Sequence, residues 1–455
     1  MSDERKAIVV IGGGPAGIEA ALAAATAGAG VTLISDGPVG GRAGWHSLLP
    51  SKVWLAAADT AGAVSETGVV GLAQSDAPRP EPEAILARIK VVKEAWNEEQ
   101  AQALATAGVV VLHGRATLAG PDRVVVDGEG RDEQQSLEAD KIIIAVGSVP
   151  IFPQGMKPNG RQILAPRFAS HLSPLPESVV VVGAGATGCE FVYLFNRLGV
   201  EVTWIVDQFG VLPAFVPEAG TLLKETLVAR GVRLVEGQMA DHIETGEGGA
   251  TVVLADGTTH AAAVAFVAIG RQPDLDGLDL EAAGLDAPVG VVTDAYGRSD
   301  EPAIYVVGDA AGAPMVANGA TAQAWVAGRH AAGAPVTPYR PESTVAAIYT
   351  EPQVAQVGRL DGEALVTVQI PFSASLKGRL LPEEEGFLQL AYEEESGHLA
   401  GAAAAGPHAA DLLAPVAVAL QLDATLSDLE TLYPAHPTLS ELPFTAIRRV
   451  ARGEA

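Results

Sequence analysis

Ala7-Ile-Val-Val-Ile-Gly12-Gly-Gly14-Pro-Ala-Gly17 sets an apolar run of β character directly before a glycine-rich turn. The Ala-rich residues beyond it read as a helix leading to a second apolar run, Val31-Thr-Leu-Ile34. In the spacing Gly12-x-Gly14-x-x-Gly17 the first glycine makes the tight turn, the second lets a pyrophosphate approach the backbone, and the third brings helix and strand together. The helix N-terminus then faces the ligand's negative charge. Placed after a strand and before a helix, this spacing predicts a dinucleotide site. The layout returns at Val179-Val-Val-Val-Gly183-Ala-Gly185-Ala-Thr-Gly188, followed by Val202-Thr-Trp-Ile-Val206. The chain therefore holds an internal duplication of a nucleotide-binding βαβ unit, which predicts an α/β fold.

The two units differ at the end of the second strand, where an acid usually accepts hydrogen bonds from a ribose. In the first unit Ser35 stands there and Asp36 follows, so either Asp36 moves in or the ribose is held less firmly. In the second, Asp207 closes the strand and no arginine follows closely. An acid at this point repels a 2′-phosphate, which favours NAD(H) over NADP(H).

Outward from these units, a helix is expected over about 83–107, then short β runs at 109–112, 123–126 and 141–144, and a β-rich tail at 233–267. From about residue 338 strands at 366–370 and 387–392 precede helices at 409–422 and 427–433, which reads as a separate α+β domain. A length of 455 residues suits several domains. A net charge of -26 argues against nucleic acid and anionic membrane surfaces as partners. The single cysteine, Cys189, permits no internal disulfide and no CxxC metal pair, so a reducing cytoplasm is expected. Residues 2–6 are charged and lack a signal-peptide layout, and the Ala-rich stretch 400–422 is too interrupted to span a membrane. No metal site is expected, because His113, His242, His260 and His398 show no ligand spacing. Neither a Gly-x-Ser-x-Gly elbow nor a phosphate-binding Gly-x-x-x-x-Gly-Lys occurs.

Two dinucleotide units suggest a flavin working beside a nicotinamide. Further motifs stand in order along the chain: Gly40-Gly41 leading to Pro50-Ser51-Lys52, Ala145-Val-Gly147-Ser148, Gly270-Arg-Gln-Pro273, Tyr305-Val-Val-Gly308-Asp309, Tyr349-Thr-Glu-Pro352 with Val357-Gly358, and His436-Pro-Thr-Leu-Ser-Glu441. Over nearly its whole length the chain resembles the flavoprotein disulfide reductases, the group of dihydrolipoamide dehydrogenase, glutathione reductase and mercuric reductase. The resemblance implies two Rossmann-like dinucleotide-binding domains, an FAD domain at 1–149 and 271–336 and an NAD(H) domain at 150–270, plus a C-terminal α+β dimerisation domain at 337–455 that makes a homodimer. It also implies that Asp309, after Gly308, holds the ribityl chain and that Ala317 offers backbone near the flavin pyrimidine. Gly41, Ala116, Ala145, Gly147 and Gly270 fall at further cofactor positions. The same resemblance implies that Lys52 sits at flavin N5, paired with Glu190; a cation there stabilises reduced flavin, and an unpaired buried lysine tends to lose its proton.

The departure lies between Gly41 and Pro50. Family members carry two cysteines there, and an ungapped reading puts Ala43 and Leu48 at their positions. Dithiol exchange needs an attacking thiolate and a resolving thiol, so reduction of disulfides by that route is excluded. Cys189, inside the second fingerprint helix, reads as a small buried hydrophobe. The same segment carries Trp45, His46 and Ser47. Trp45 and His46 either line an acceptor pocket, with His46 as proton donor, or repack space near the flavin. His436 and Glu441 resemble the family's acid–base pair, which enters the partner subunit's site. Here the pair either delivers a proton to an acceptor or remains as helix capping and dimer packing. Ala186 lies where some relatives place a bulky residue over the nicotinamide pocket. The expected activity is transfer from NADH through FAD to a small acceptor, a quinone. The alternatives are a transhydrogenase or NADH oxidase and, in another class, a non-catalytic binding or assembly module.

Overall fold

The computed structural model describes residues 5–73, 78–128, 134–286, 290–312, 314–381 and 385–454. Most of the charged segment 2–6 thus lies outside the described residues. Ala7–Ile11 is an interior strand of a seven-stranded sheet, flanked in parallel by Gly30–Ser35 and by Lys141–Ile144. Val110–Gly120 extends the sheet beyond Gly30–Ser35, and Arg123–Gly128 and Gln135–Glu138 continue it antiparallel. On the far edge, Ile304–Val306 pairs with Lys141–Ile144, so the chain leaves this sheet and returns to it after more than 150 residues. The central strands are near-continuous apolar runs because helices and strands cover both of their faces. The helix Pro15–Thr26 lies against Ala317–Ala332, and the two approach closely because Ala20, Ala23 and Ala24 face Gly328, where a Cβ would stand 2.4 Å from Ala20 O.

The second unit builds a parallel sheet in the order Arg233–Glu236, Glu201–Val206, Ser178–Val182, Val264–Val267 and Ile163–Leu164. Its helix Ala186–Arg197 is buried from Gly188 to Phe195. Phe191 stacks on Phe266 at 4.2 Å, and Phe195 meets the same ring edge-on at 5.8 Å. A short antiparallel pair, Ser148–Pro150 with Arg271–Pro273, joins the two units where the chain crosses between them.

The last region is a five-stranded antiparallel sheet, Ala346–Ile348, Gln353–Gly358, Leu399–Gly406, Phe387–Glu393 and Leu365–Pro371, with helices on one side. Two helix expectations need correction here. The stretch 409–422 is two helices, Ala409–Leu412 and Ala414–Gln421, because Pro415 has no N–H to donate and its ring excludes a preceding helical turn. The stretch 427–433 is a single turn, Leu426–Leu429, opened by a capping box between Thr425 and Asp428; Pro434 pushes the residue before it towards extended backbone.

Candidate functional site

Both glycine turns fold alike. Gly12 (φ +117°) and Gly183 (φ +112°) hold backbone conformations that side chains resist. A Cβ on Gly17 would lie 1.7 Å from Gly12 O, and one on Gly188 2.2 Å from Gly183 O, so helix and strand touch at these points. A Cβ on Gly14 or Gly185 meets nothing within 4 Å. Gly14 and Gly185 are also helix N-caps without a side-chain hydrogen bond, so each turn sets uncapped N–H groups against open space. That donor set fits a dinucleotide pyrophosphate, and FAD and NAD(P)H fit the two turns. Ala317 begins a third helix whose N-cap, Val316, likewise makes no side-chain bond.

Around the first turn, Gly40 N–H donates to Gly13 O at 2.9 Å, which seats Gly41 against Gly14. Ser35 is buried with its hydroxyl packed beside Gly13, while Asp36 is exposed one residue further on. In the second unit, one oxygen of Asp207 accepts from Phe209 N–H at 3.0 Å. Ala116 is half-buried opposite Val126, Ala145 O lies beneath Gly12, and Gly147 and Gly270 both carry positive φ at the crossing between the units. Gly308 N–H donates to Gln323 Oε1 at 2.8 Å, and Asp309 accepts from the Ser148 hydroxyl at 2.5 Å. Arg271 donates to both Ser148 Oγ and Ser148 O at 2.8 Å. Arg42 reaches the same carbonyl at 3.2 Å and forms an ion pair with Asp274.

Lys52 lies on the helix Leu48–Ser65 and Glu190 on the fingerprint helix of the second unit. Lys52 Nζ donates to Glu190 Oε1 at 2.6 Å and Oε2 at 2.8 Å, with Glu190 buried. Tyr349 N–H donates to the same Oε1 at 3.1 Å, and its ring lies 4.5 Å from Lys52 Nζ. One segment from each of the three regions therefore converges on this ion pair. Cys189 is free and buried; burial, reinforced by Glu190, pushes its thiol far above the usual range. Ala43 lies in the short helix Gly41–Trp45 and Leu48 opens the next one, so the interval carries no sulfur.

Trp45 is pinned in place. Its indole N–H donates to Val39 O at 2.7 Å, Lys93 Nζ lies 5.4 Å from its ring, and its carbonyl accepts from Ser170 Oγ at 3.3 Å. The indole's polar edge is thus used internally, whereas His46 is exposed. Partial burial, and then Lys93, His171, Arg167 and Arg42, lower the His46 pKa from its ordinary value. His436 Nδ1 lies 2.9 Å from Glu441 Oε1, and Glu441 Oε2 accepts from Thr438 N–H at 2.9 Å. Burial opposes ionisation of Glu441, but the Thr438 N–H and His436 outweigh it and hold the carboxyl below its ordinary pKa. Within one chain no hydrogen bond or ion pair among the described residues joins His436 or Glu441 to Lys52, Glu190 or His46.

Sequence reasoning missed Tyr349 as a partner of Glu190, and the convergence of Arg42 and Arg271 on Ser148. Arg42 lay inside the departing segment, but its partner Asp274 is 232 positions away and no periodicity links them. Among the described residues no group of three or more His, Cys, Asp or Glu is placed to hold a metal ion, and no helix is long and apolar enough to cross a membrane.

Residues 6–324 match the pyridine nucleotide-disulphide oxidoreductases, and residues 344–447 match the dimerisation domain of that family. A protein of Mycobacterium tuberculosis named NAD(P)H dehydrogenase (quinone) is 32% identical over 461 residues, covering 97% of this chain and 93% of its own. Dihydrolipoyl dehydrogenase 2 of Haloarcula marismortui is 32% identical over 466 residues, covering 98% and 97%. The crystal structure of LpdA from Mycobacterium tuberculosis superposes with a TM-score of 0.92 at 30% identity, over 98% of this chain and 99% of that one. With its two nucleotide-binding units and its dimerisation domain, this chain is an FAD- and NAD(P)H-dependent oxidoreductase, and it belongs to the pyridine nucleotide-disulphide oxidoreductase family.

Proposed function

We propose that the protein, as a homodimer, passes two electrons from NADH through FAD to a small acceptor that is not a disulfide, of quinone type. The observation that carries this reading is the sulfur-free segment that holds Ala43 and Leu48, with the sole cysteine, Cys189, buried in the helix Ala186–Arg197. The balance is NADH + H⁺ + quinone giving NAD⁺ + quinol. FAD, when bound, supplies the two-electron relay between donor and acceptor.

The chain's own residues hold the reactants and the charge. The turn around Gly14 and the start of Pro15–Thr26 bind one pyrophosphate, and the turn around Gly185 binds the other. Asp207 accepts from a ribose hydroxyl and repels a 2′-phosphate, which favours NADH. Lys52, anchored by both oxygens of Glu190 and by the Tyr349 ring, keeps one positive charge at a fixed place. His436, with Nδ1 engaged by Glu441, presents Nε2 as the proton-bearing atom, entering the partner subunit's site. A similar protein bears the name NAD(P)H dehydrogenase (quinone), which supports the choice of acceptor; others are named dihydrolipoyl dehydrogenases, whose chemistry this turn lacks the sulfurs to perform.

Stopped-flow reoxidation of the NADH-reduced holoprotein by a benzoquinone, NADP⁺, O₂ and lipoamide, each in turn, tests the proposal. Fastest reoxidation by the quinone is expected. Preference for NADP⁺ or O₂ would shift the assignment to a transhydrogenase or an oxidase, and efficient lipoamide turnover would overturn the sulfur-free route.

A further inference from the structure

Acids outnumber Lys and Arg 55 to 29 in this chain, yet around the segment that lacks the cysteines the balance inverts. Three stretches far apart in sequence bring basic side chains there. Arg42 and His46 belong to the segment itself. Lys93, on the helix Pro82–Thr106, lies 5.4 Å from the Trp45 ring. Arg167 and His171 belong to the short helix Pro166–His171, which Ser170 ties to the Trp45 carbonyl.

These basic side chains are not matched with acids as others in the molecule are. Arg197 and Arg230 share Glu351, Lys224 has Glu236, and Lys52 has Glu190. Here Arg42 alone meets an acid, Asp274; Lys93, Arg167, His171 and His46 form no ion pair with any described residue. Lys93 and Arg167 rest instead on aromatic faces, Trp45 and, at 4.9 Å, Phe168. An aromatic face orients a cation without cancelling its charge. Glu94 and Glu98, the acids next to Lys93 along its helix, do not pair with it. The downward shift of the His46 pKa agrees with this picture, since after burial the charges that act most on it are all cationic.

We propose that Lys93, Arg167, His171 and His46 form a binding site for the acidic substituent of an anionic acceptor, so that the preferred oxidant is a quinone bearing a carboxylate, sulfonate or phosphate. The proposal rests on the quinone-reductase reading and names the acceptor's class. The acceptor's ring takes the two electrons and two protons of the balance above, while its acidic group stays ionised and unreacted. The uncompensated charges of Lys93 and Arg167 raise the local concentration of an anion and speed its arrival, an effect that added salt weakens, and the His46 and His171 rings offer N–H donors beside them.

The test uses FAD-loaded protein and NADH with two acceptors, 1,4-naphthoquinone and its 2-sulfonate, in the native chain and in the double variant Lys93→Gln/Arg167→Gln. The ratio of kcat/KM, sulfonate over parent quinone, is expected to fall about tenfold in the variant, the combined effect of two partly exposed charges. In the native chain the same ratio should fall as ionic strength rises. A ratio unchanged by both the variant and salt would overturn the proposal. In parallel, calorimetric titration with naphthalene-2-sulfonate, which accepts no electrons, measures the site without turnover. Binding weakened in the variant supports the site, and equal binding in both chains counts against it. If neither quinone is reduced, the functional reading falls, and the titration still decides whether the anion site exists.

Discussion

Gly185→Ala separates what a fingerprint glycine does for the fold from what it does for a ligand. Gly185 has φ -74° and ψ -177°, a conformation alanine accepts, and a Cβ there meets nothing within 4 Å. The variant should therefore fold as well as the native chain, or better by about 0.5 kcal/mol because alanine restricts the unfolded chain. The new methyl nevertheless occupies the open space before the uncapped start of the helix Ala186–Arg197, where a pyrophosphate must approach backbone N–H groups. Hydrogen bonds to a charged group contribute roughly 1.5–3 kcal/mol each. Losing the equivalent of one weakens NADH binding about 10- to 100-fold. Gly188→Ala is the contrasting case: its Cβ would lie 2.2 Å from Gly183 O, so it should lower the thermal midpoint itself. The assay pairs thermal unfolding with the Kd for NADH and the FAD content, which should stay unchanged in Gly185→Ala. A Gly185→Ala protein of native stability whose Kd for NADH moves less than twofold would refute the assignment of this turn to the nicotinamide dinucleotide.

Further outcomes follow from individual side chains. Asp207→Ser should bring kcat/KM for NADPH within about tenfold of that for NADH by removing the charge that repels a 2′-phosphate; steady-state kinetics with both donors checks this, and an unchanged preference would exclude Asp207 from the choice. His436→Ala should slow reoxidation by quinone by about 10²-fold while leaving reduction by NADH intact, and equal slowing of the two half-reactions in stopped flow would count against a proton role. Asp59 has its carboxyl pKa raised by burial, partly offset by the Tyr193 hydroxyl and raised further by Glu351. Its ionisation therefore costs the folded state stability as pH rises through the folded value, so Asp59→Asn should raise the thermal midpoint at pH 7, with the gain vanishing below the ordinary carboxylate range. A midpoint difference independent of pH would contradict that account.

The two nucleotide-binding units were legible because each depends on residues within one strand, one turn and one helix start, and the backbone demands a glycine at fixed offsets. The missing sulfurs were equally plain, since Ala43 and Leu48 need only be read. Helix continuity at 409–422 was misjudged because Ala-rich apolar content outweighed the one local signal, Pro415, that breaks it. The identity of the residue after the first unit's second strand was evident too, but that Ser35 is buried against Gly13 while Asp36 stands in solvent depends on packing.

Sequence alone determined the duplicated α/β architecture, the two glycine turns and the lack of a cysteine pair between Gly41 and Pro50, because each is written in residues close together along the chain. Only the tertiary structure decided that Ile304–Val306 returns to the first sheet, that Tyr349 holds Glu190 from 159 positions away, and that Lys93, Arg167 and His171 gather around Trp45 and His46. Such groupings arise where separately folded segments bury their apolar faces against one another, and the charges at the edges of those faces meet as a consequence.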